Sequence, residues 1–118
     1  MEATPRKIVR IGIPRGNSYA MGPGKADLLE AIHATGSISA AGRSLGMSYR
    51  RAWLLVDEMN HAFSMPLVEA HLGGAGGGGA RVTDLGHEAL RRYRELQDQA
   101  WTVLRVSYQE YRRLLKPE

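Results

Sequence analysis

Residues 37–60 read SISAAGRSLGMSYRRAWLLVDEMN, and this stretch decides the fold. Ser37 is placed to cap a short helix over about 38–45, whose Ile38, Ala41 and Leu45 face inward. Gly46 ends it, because glycine takes a left-handed backbone without steric cost. Ser48 then caps a longer helix that reaches about Phe63, ahead of Pro66. On a helical wheel Ala52, Val56, Met59 and Phe63 share one side, with Tyr49 and Trp53 on its flank, while Arg50, Arg51, Leu54 and Glu58 point away. Two short helices joined by a glycine turn, the second opening with exposed arginines, make a helix-turn-helix. A helical pair that merely filled a core would explain the apolar positions but not two adjacent arginines on the outward face. In a helix-turn-helix the second helix enters the DNA major groove with its first residues at the base edges. Arg50 and Arg51 then suit bidentate contacts to guanine or phosphate, and Leu54 suits a thymine methyl.

Toward the N-terminus, residues 7–13 (KIVRIGI) alternate Val9, Ile11 and Ile13 with polar or small residues, which predicts a strand with one buried face. Residues 14–24 collect Pro14, Gly16, Asn17, Gly22, Pro23 and Gly24 and read as a loop. A first helix follows over roughly 24–34, carrying Leu28, Leu29 and Ile32 at helical spacing and stopping at Thr35-Gly36. Toward the C-terminus, residues 67–71 and 80–83 form a hairpin around a connection at 73–79 with six glycines in seven residues. Thr83 caps a final helix from Asp84 to about Leu115, on the order of 45–50 Å long at 1.5 Å per residue. Leu90, Tyr93, Gln97, Ala100, Leu104, Ser107, Tyr111 and Leu114 follow a three-four repeat along it. A helix longer than its own globule needs a partner, and a second copy is the simplest one.

The predicted class is mainly α with a small β-hairpin: a winged helix-turn-helix with a long C-terminal dimerisation helix. It forms one domain over 1–118, made of a basic N-terminal strand and loop (1–25), three helices (24–66), the wing (67–83) and the long helix (84–118). The N-terminal strand is available to pair with the wing.

The chain has 118 residues, 43% of them hydrophobic and 24% charged, which fits one ordered domain. With no cysteine there is no disulfide, thiol nucleophile or thiolate metal site. No apolar run approaches the ~20 residues that span a bilayer, and Arg10 and Arg15 interrupt the N-terminus where a signal peptide would be apolar, so a cytoplasmic protein without membrane contact is expected. The net charge of +4 is concentrated in residues 1–25, where Arg6, Lys7, Arg10, Arg15 and Lys25 oppose Glu2 alone. This basic arm is either a solvated edge or a source of sequence-independent phosphate attraction. Thirteen of the 16 cations are arginine, whose rigid fork suits phosphates and guanine edges.

Signs of catalysis are thin. Gly74, Gly76 and Gly79 satisfy GxGxxG only because the run is nearly all glycine, and a strand follows where a dinucleotide site needs a helix. Gly24-Lys25 lacks the following Ser or Thr of a P-loop. His87-Glu88-Ala89-Leu90-Arg91 begins like a zinc-protease motif but has arginine where the second histidine must bind metal. His33, His61 and His71 lie on separate elements. Neither enzyme activity nor a cofactor or metal is expected.

Residues 28–60 and the wing closely resemble the N-terminal winged-helix domain of the molybdate-responsive ModE family of transcription regulators. The resemblance runs over about residues 22–95. It is carried by Gly36-Ser37-Ile38-Ser39, by Ser48-Tyr49 followed by Ala52-Trp53, by Val56-Asp57 and Met59-Asn60, and by GGAGGGGARVT at 73–83. It implies a dimeric DNA-binding repressor or activator with the third helix in the major groove and the last helix in the dimer contact. Gly42 stands where the family usually has alanine, which loosens the second helix. The family's β-barrel region that binds molybdate has no counterpart before Glu118, so no molybdate site is expected within this chain.

The expected partners are double-stranded DNA and a second copy of the chain. The rival reading is an interaction module that heterodimerises with a full-length regulator and does not read DNA itself. Tyr49, Arg50, Arg51 and Leu54 are the candidate specificity residues, with Ser48, Arg81 and the backbone of Gly76, Gly77 and Gly78 positioning the duplex. Leu90, Tyr93, Ala100, Trp101, Leu104 and Tyr111 are the candidate dimer contacts.

Overall fold

The computed structural model describes residues 5–74 and 77–118. In chain order they form β1 (Ile13–Arg15), β2 (Ser18–Met21), α1 (Pro23–Thr35), α2 (Ile38–Ser44), α3 (Tyr49–Ala62), β3 (Val68–Gly74), β4 (Gly77–Val82) and α4 (Asp84–Arg112). Each hairpin is its own two-stranded antiparallel sheet: β1 pairs with β2, and β3 with β4. Both glycine-rich strands run further than expected, β3 to Gly74 and β4 from Gly77, and of the expected connection at 73–79 residues 75–76 lie outside the described residues.

The three later helix starts follow from one kind of chemistry. The first turn of a helix has backbone N–H groups without an intrahelical acceptor, and a short hydroxyl side chain supplies one. Ser37 accepts from Ala40 N (3.1 Å), Ser48 from Arg51 N (3.1 Å) and Thr83 from Gly86 N (3.0 Å). Between α2 and α3, Gly46 adopts φ +71° and turns the chain, while the Gly42 carbonyl accepts from both Leu45 N (3.1 Å) and Met47 N (2.8 Å).

A single cluster of buried side chains holds the elements together. Leu28, Leu29 and Ile32 of α1 are fully buried at its centre. They pack among Ile38 and Ala41 of α2, Ala52, Leu55, Val56 and Met59 of α3, Val68, Ala80 and Val82 of the second hairpin, and Tyr93 of α4. The expected apolar face of α3 is thus present and includes Leu55 as well. Gly42 turns out to be more than a weak point in α2. A Cβ there would stand 2.9 Å from the Ala52 Cβ, so the missing side chain is what lets α2 and α3 approach.

The N-terminal segment departs from expectation. Its alternation holds, with Val9 buried and Ile11 and Ile13 half-buried, but residues 7–12 form no strand and do not pair with the second hairpin. The reason lies in α4, whose side chains take the segment's carbonyl groups. Tyr93 donates its hydroxyl to Ile11 O (2.7 Å), and the fully buried Gln97 donates its amide to Val9 O (2.7 Å). Nor is 14–24 simply a loop. Gly16-Asn17 makes a two-residue hairpin turn between Arg15 and Ser18, with positive φ (+59°) at its first central position alone, as in a type II′ turn.

Two ties fix the far half of α3. On one side the Asn60 carboxamide grips the base of β3: its oxygen accepts from Leu67 N (2.8 Å) and Val68 N (3.1 Å), and its nitrogen donates to Val68 O (3.0 Å). On the other side Lys25 donates to Tyr19 O (2.6 Å) and pairs with Glu58 (3.3 Å). Lys25 is only 7% exposed, so it is a buried strut and not part of a solvated basic arm. Arg6 of that arm is likewise paired, with Glu30 at 3.1 Å.

Two substitutions test this packing. A Cβ on Gly86 would collide with the Leu67 carbonyl oxygen and lie 2.7 Å from Val82 Cγ1. Gly86→Ala therefore lowers unfolding stability by about 2–3 kcal/mol in urea titration. Asn60→Ala strands two backbone donors at the base of β3 and costs about 2 kcal/mol, with hydrogen exchange accelerated at the Leu67 and Val68 amides.

Candidate nucleic-acid interface

The N-terminal half of α3 is its open half. Burial falls on Ala52, Leu55, Val56 and Met59, which leaves the opposite face of the helix to solvent. Arg50 and Arg51 are exposed, and among the described residues neither has an acidic side chain within 4 Å. Leu54, one turn beyond Arg50, is 52% exposed, which is a large apolar exposure for a residue on a packed helix. Tyr49 is 63% exposed and lies edge to face against Trp53, with ring centroids 6.2 Å apart. Ser48 is exposed, but its oxygen is already engaged in capping Arg51 N.

At 100° per residue these side chains sort into three directions. Tyr49 and Trp53 turn toward the second hairpin, where they line a cleft of about 300 Å³ with Ser37, Ser39, His71 and Gly79. Arg51 and Leu55 turn the other way, into a cleft of about 420 Å³ shared with the first hairpin. Arg50 and Leu54 stand between the two. The helix start therefore projects from a trough with a hairpin on either side.

The second hairpin is docked by its backbone. Ala80 N donates to Gly36 O (2.9 Å) at the turn between α1 and α2, and Thr83 N donates to Leu67 O (2.9 Å). Arg81 lies directly across the ladder from Glu69 and pairs with it at 2.8 Å, so its guanidinium carries a counter-charge. Gly77 and Gly78 open β4, whereas Gly76 lies outside the described residues.

The residues expected at a dimer contact divide along α4. Tyr93 is buried inside the protomer, where burial pushes its phenol above the usual range, and Leu90 packs half-buried against the same core. Trp101 is buried and meets Tyr108 edge to face at 5.3 Å. Ala100 is half-buried, and only Leu104 and Tyr111 of the set are exposed. They join Leu96 and Val103, also exposed, on one stripe of the helix. The Tyr93 and Gln97 members of the three-four repeat thus serve the chain's own N-terminal segment.

Several connections escape a reading of residue types. Arg94 is the clearest: its guanidinium bonds Glu30 (2.7 Å), Asp27 (2.8 Å) and the Gln97 oxygen (2.9 Å), and these hydrogen bonds hold it charged against the desolvation of its burial. Its spacing to other α4 residues is unremarkable, and its two carboxylate partners lie more than sixty positions away in sequence. Among the described residues no three His, Cys, Asp or Glu side chains cluster as metal ligands, and no helix is long and apolar enough to cross a membrane.

No family model matches the chain. It is 37% identical over 97 residues to the molybdenum transport protein ModE of Azotobacter vinelandii, covering 82% of this chain and 36% of that protein. It is 39% identical over 85 residues to the DNA-binding transcriptional dual regulator ModE of Escherichia coli (70% and 32%). It is 41% identical over 83 residues to the molybdenum-pterin-binding protein MopA of Rhodobacter capsulatus (70% and 31%). The chain spans about a third of the length of these curated relatives. Over that shared third, the similarity supports a relationship between this chain and the ModE family.

Proposed function

We propose that the chain is a sequence-specific DNA-binding transcription regulator. In this reading α2 and α3 are a helix-turn-helix, α3 is the recognition helix, and the β3–β4 hairpin is the wing of a winged helix. The observation that carries it is the exposed start of α3, where two arginines without acidic partners among the described residues, a leucine and a tyrosine project from a trough between two hairpins. That set matches what the major groove offers: guanine O6 and N7 for a guanidinium fork, and the thymine methyl for an apolar tip. The E. coli relative is a DNA-binding transcriptional regulator, which supports the same reading. Arg81 pairs with Glu69, so the glycine-rich backbone of the wing, which admits close approach, is its main offering to a phosphate strand.

The regulator acts as a homodimer in this proposal. Of the exposed stripe of Leu96, Val103, Leu104 and Tyr111, all but Leu96 lie beyond Trp101, the last buried residue of α4. α4 has 29 residues, about 43 Å of helix, so its far end has apolar surface and little protein of its own to cover it. Pairing through that stripe sets two recognition helices roughly 34 Å apart, one DNA turn, on an inverted repeat. A full-length regulator of the same family would use the same stripe to form a heterodimer, and that arrangement is favoured if the purified chain alone selects no DNA.

Two measurements test these statements. Selection of genomic duplexes on the purified chain, followed by fluorescence anisotropy, yields an operator; Arg50→Ala with Arg51→Ala then weakens operator binding by about thirtyfold or more and narrows its margin over scrambled DNA. Unchanged affinity and selectivity in that double variant refute the assigned reading surface. In sedimentation, Leu104→Glu shifts the chain from dimer to monomer while its circular dichroism stays that of the wild type.

A further inference from the structure

We propose that the β1–β2 hairpin is a second wing, which holds a DNA backbone phosphate on the side of α3 opposite the β3–β4 hairpin. The inference rests on the DNA reading above and adds a contact that neither the helix nor the glycine-rich wing supplies. Arg10, Tyr19 and Arg51 lie on the walls of the cleft of about 420 Å³ between this hairpin and the start of α3. Among the described residues no carboxylate lines it. Lys25 also reaches it, but its charge is already met by Glu58 and the Tyr19 carbonyl. That leaves two guanidinium groups facing one concave site with no counter-charge among the described residues. Arg15 stands exposed at the hairpin turn, with no acidic side chain within 4 Å among the described residues.

Charge pairing over the rest of the molecule sharpens the contrast. The chain has thirteen arginines. Arg6, Arg81, Arg91, Arg92 and Arg94 each hold a carboxylate within 4 Å. Among the described residues eight do not: Arg105, Arg112 and Arg113 toward the end of α4, and a group of five made of Arg10 ahead of β1, Arg15 in β1, Arg43 in α2 and Arg50 and Arg51 at the start of α3. An external polyanion is the counter-charge that such a grouping fits, and a guanidinium fork binds phosphate in two-point geometry.

The directions of the α3 side chains identify which part of the polyanion lies there. A helix in the major groove has one phosphate strand along each side of it. Tyr49 and Trp53 turn toward the β3–β4 hairpin, Arg51 and Leu55 toward the β1–β2 hairpin, and Arg50 and Leu54 point between them. Arg50 is therefore the base reader, whereas Arg51 joins Arg10 on the flanking strand. The position of the hairpin is fixed, because Lys25 ties Tyr19 to Glu58 of α3 itself. The Tyr19 ring also covers Gly12, whose added Cβ would stand 2.7 Å from it.

The test compares the full chain with Arg10→Ala/Arg15→Ala on the selected operator and on scrambled duplex across a salt series. Phosphate contacts carry no sequence information, so the double variant weakens both duplexes by roughly tenfold or more and leaves their ratio unchanged. The slope of log affinity against log salt becomes shallower by about 0.9 for each lost contact, and Arg10→Lys/Arg15→Lys restores it. Ethylation interference on the wild-type complex, which depends on no variant, marks phosphates flanking the groove on the side away from the glycine-rich wing. If Arg50→Ala loses selectivity while the double variant keeps wild-type affinity and slope, the second wing is refuted and the DNA reading stands. Binding of inorganic phosphate that is lost in the double variant without any change in DNA binding also refutes it, making the cleft a small-anion site. A wild-type chain that binds neither duplex overturns both proposals together.

Discussion

The arrangement depends on how firmly the far end of α3 is held while its near end is left bare. Asn60 spends its whole carboxamide on three backbone groups at Leu67 and Val68, and Lys25 bonds across from Tyr19 to Glu58. These polar ties fix both angle and register, where apolar packing alone would permit small rotations. A rigid helix is useful to a groove only if its exposed side chains arrive in fixed directions. The sorting of Tyr49, Arg50 and Arg51 into three directions is meaningful because the helix cannot roll.

A second polar system does the corresponding work for α4. Arg94 gathers Asp27 and Glu30 from α1, and Gln97 and Tyr93 hold the segment that precedes β1. Glu30 is shared with Arg6, so the same carboxylate also meets the N-terminal segment. Every buried side-chain polar atom among the described residues has a partner, which is what makes this much polarity tolerable inside a small core. α4 is thereby braced to α1 in its first half and projects in its second. The apolar stripe begins about where the bracing ends.

What was legible in the sequence was whatever one residue decides alone or one periodicity repeats. Ser37, Ser48 and Thr83 each cap a helix because a hydroxyl in that position has a donor to accept from. The outward face of α3, with Arg50, Arg51 and Leu54, followed from helical spacing. The N-terminal alternation was real, but its partner was not a strand: Val9 and Ile11 meet residues 88 and 82 positions away, and no local pattern carries that. Gly16-Asn17 did carry a hairpin signal, obscured by the prolines and glycines around it. Lys25 read as one more surface cation because lysine usually is one; only the placement of Glu58 and the Tyr19 carbonyl makes it internal. Gly42 shows a similar limit, since helix propensity alone counts its missing Cβ as a defect while the facing Ala52 makes it a fit.

The tie between the N-terminal segment and α4 also sets an order of events during synthesis. Residues 5–12 leave the ribosome well before α4, yet the side chains that take their carbonyls stand at Tyr93 and Gln97. The three-helix unit and both hairpins are built from neighbours in sequence and can form as they emerge. The leading segment must wait, solvated, until most of α4 has been translated. A segment that is made early is thus fastened late, and it closes over a core that is already in place.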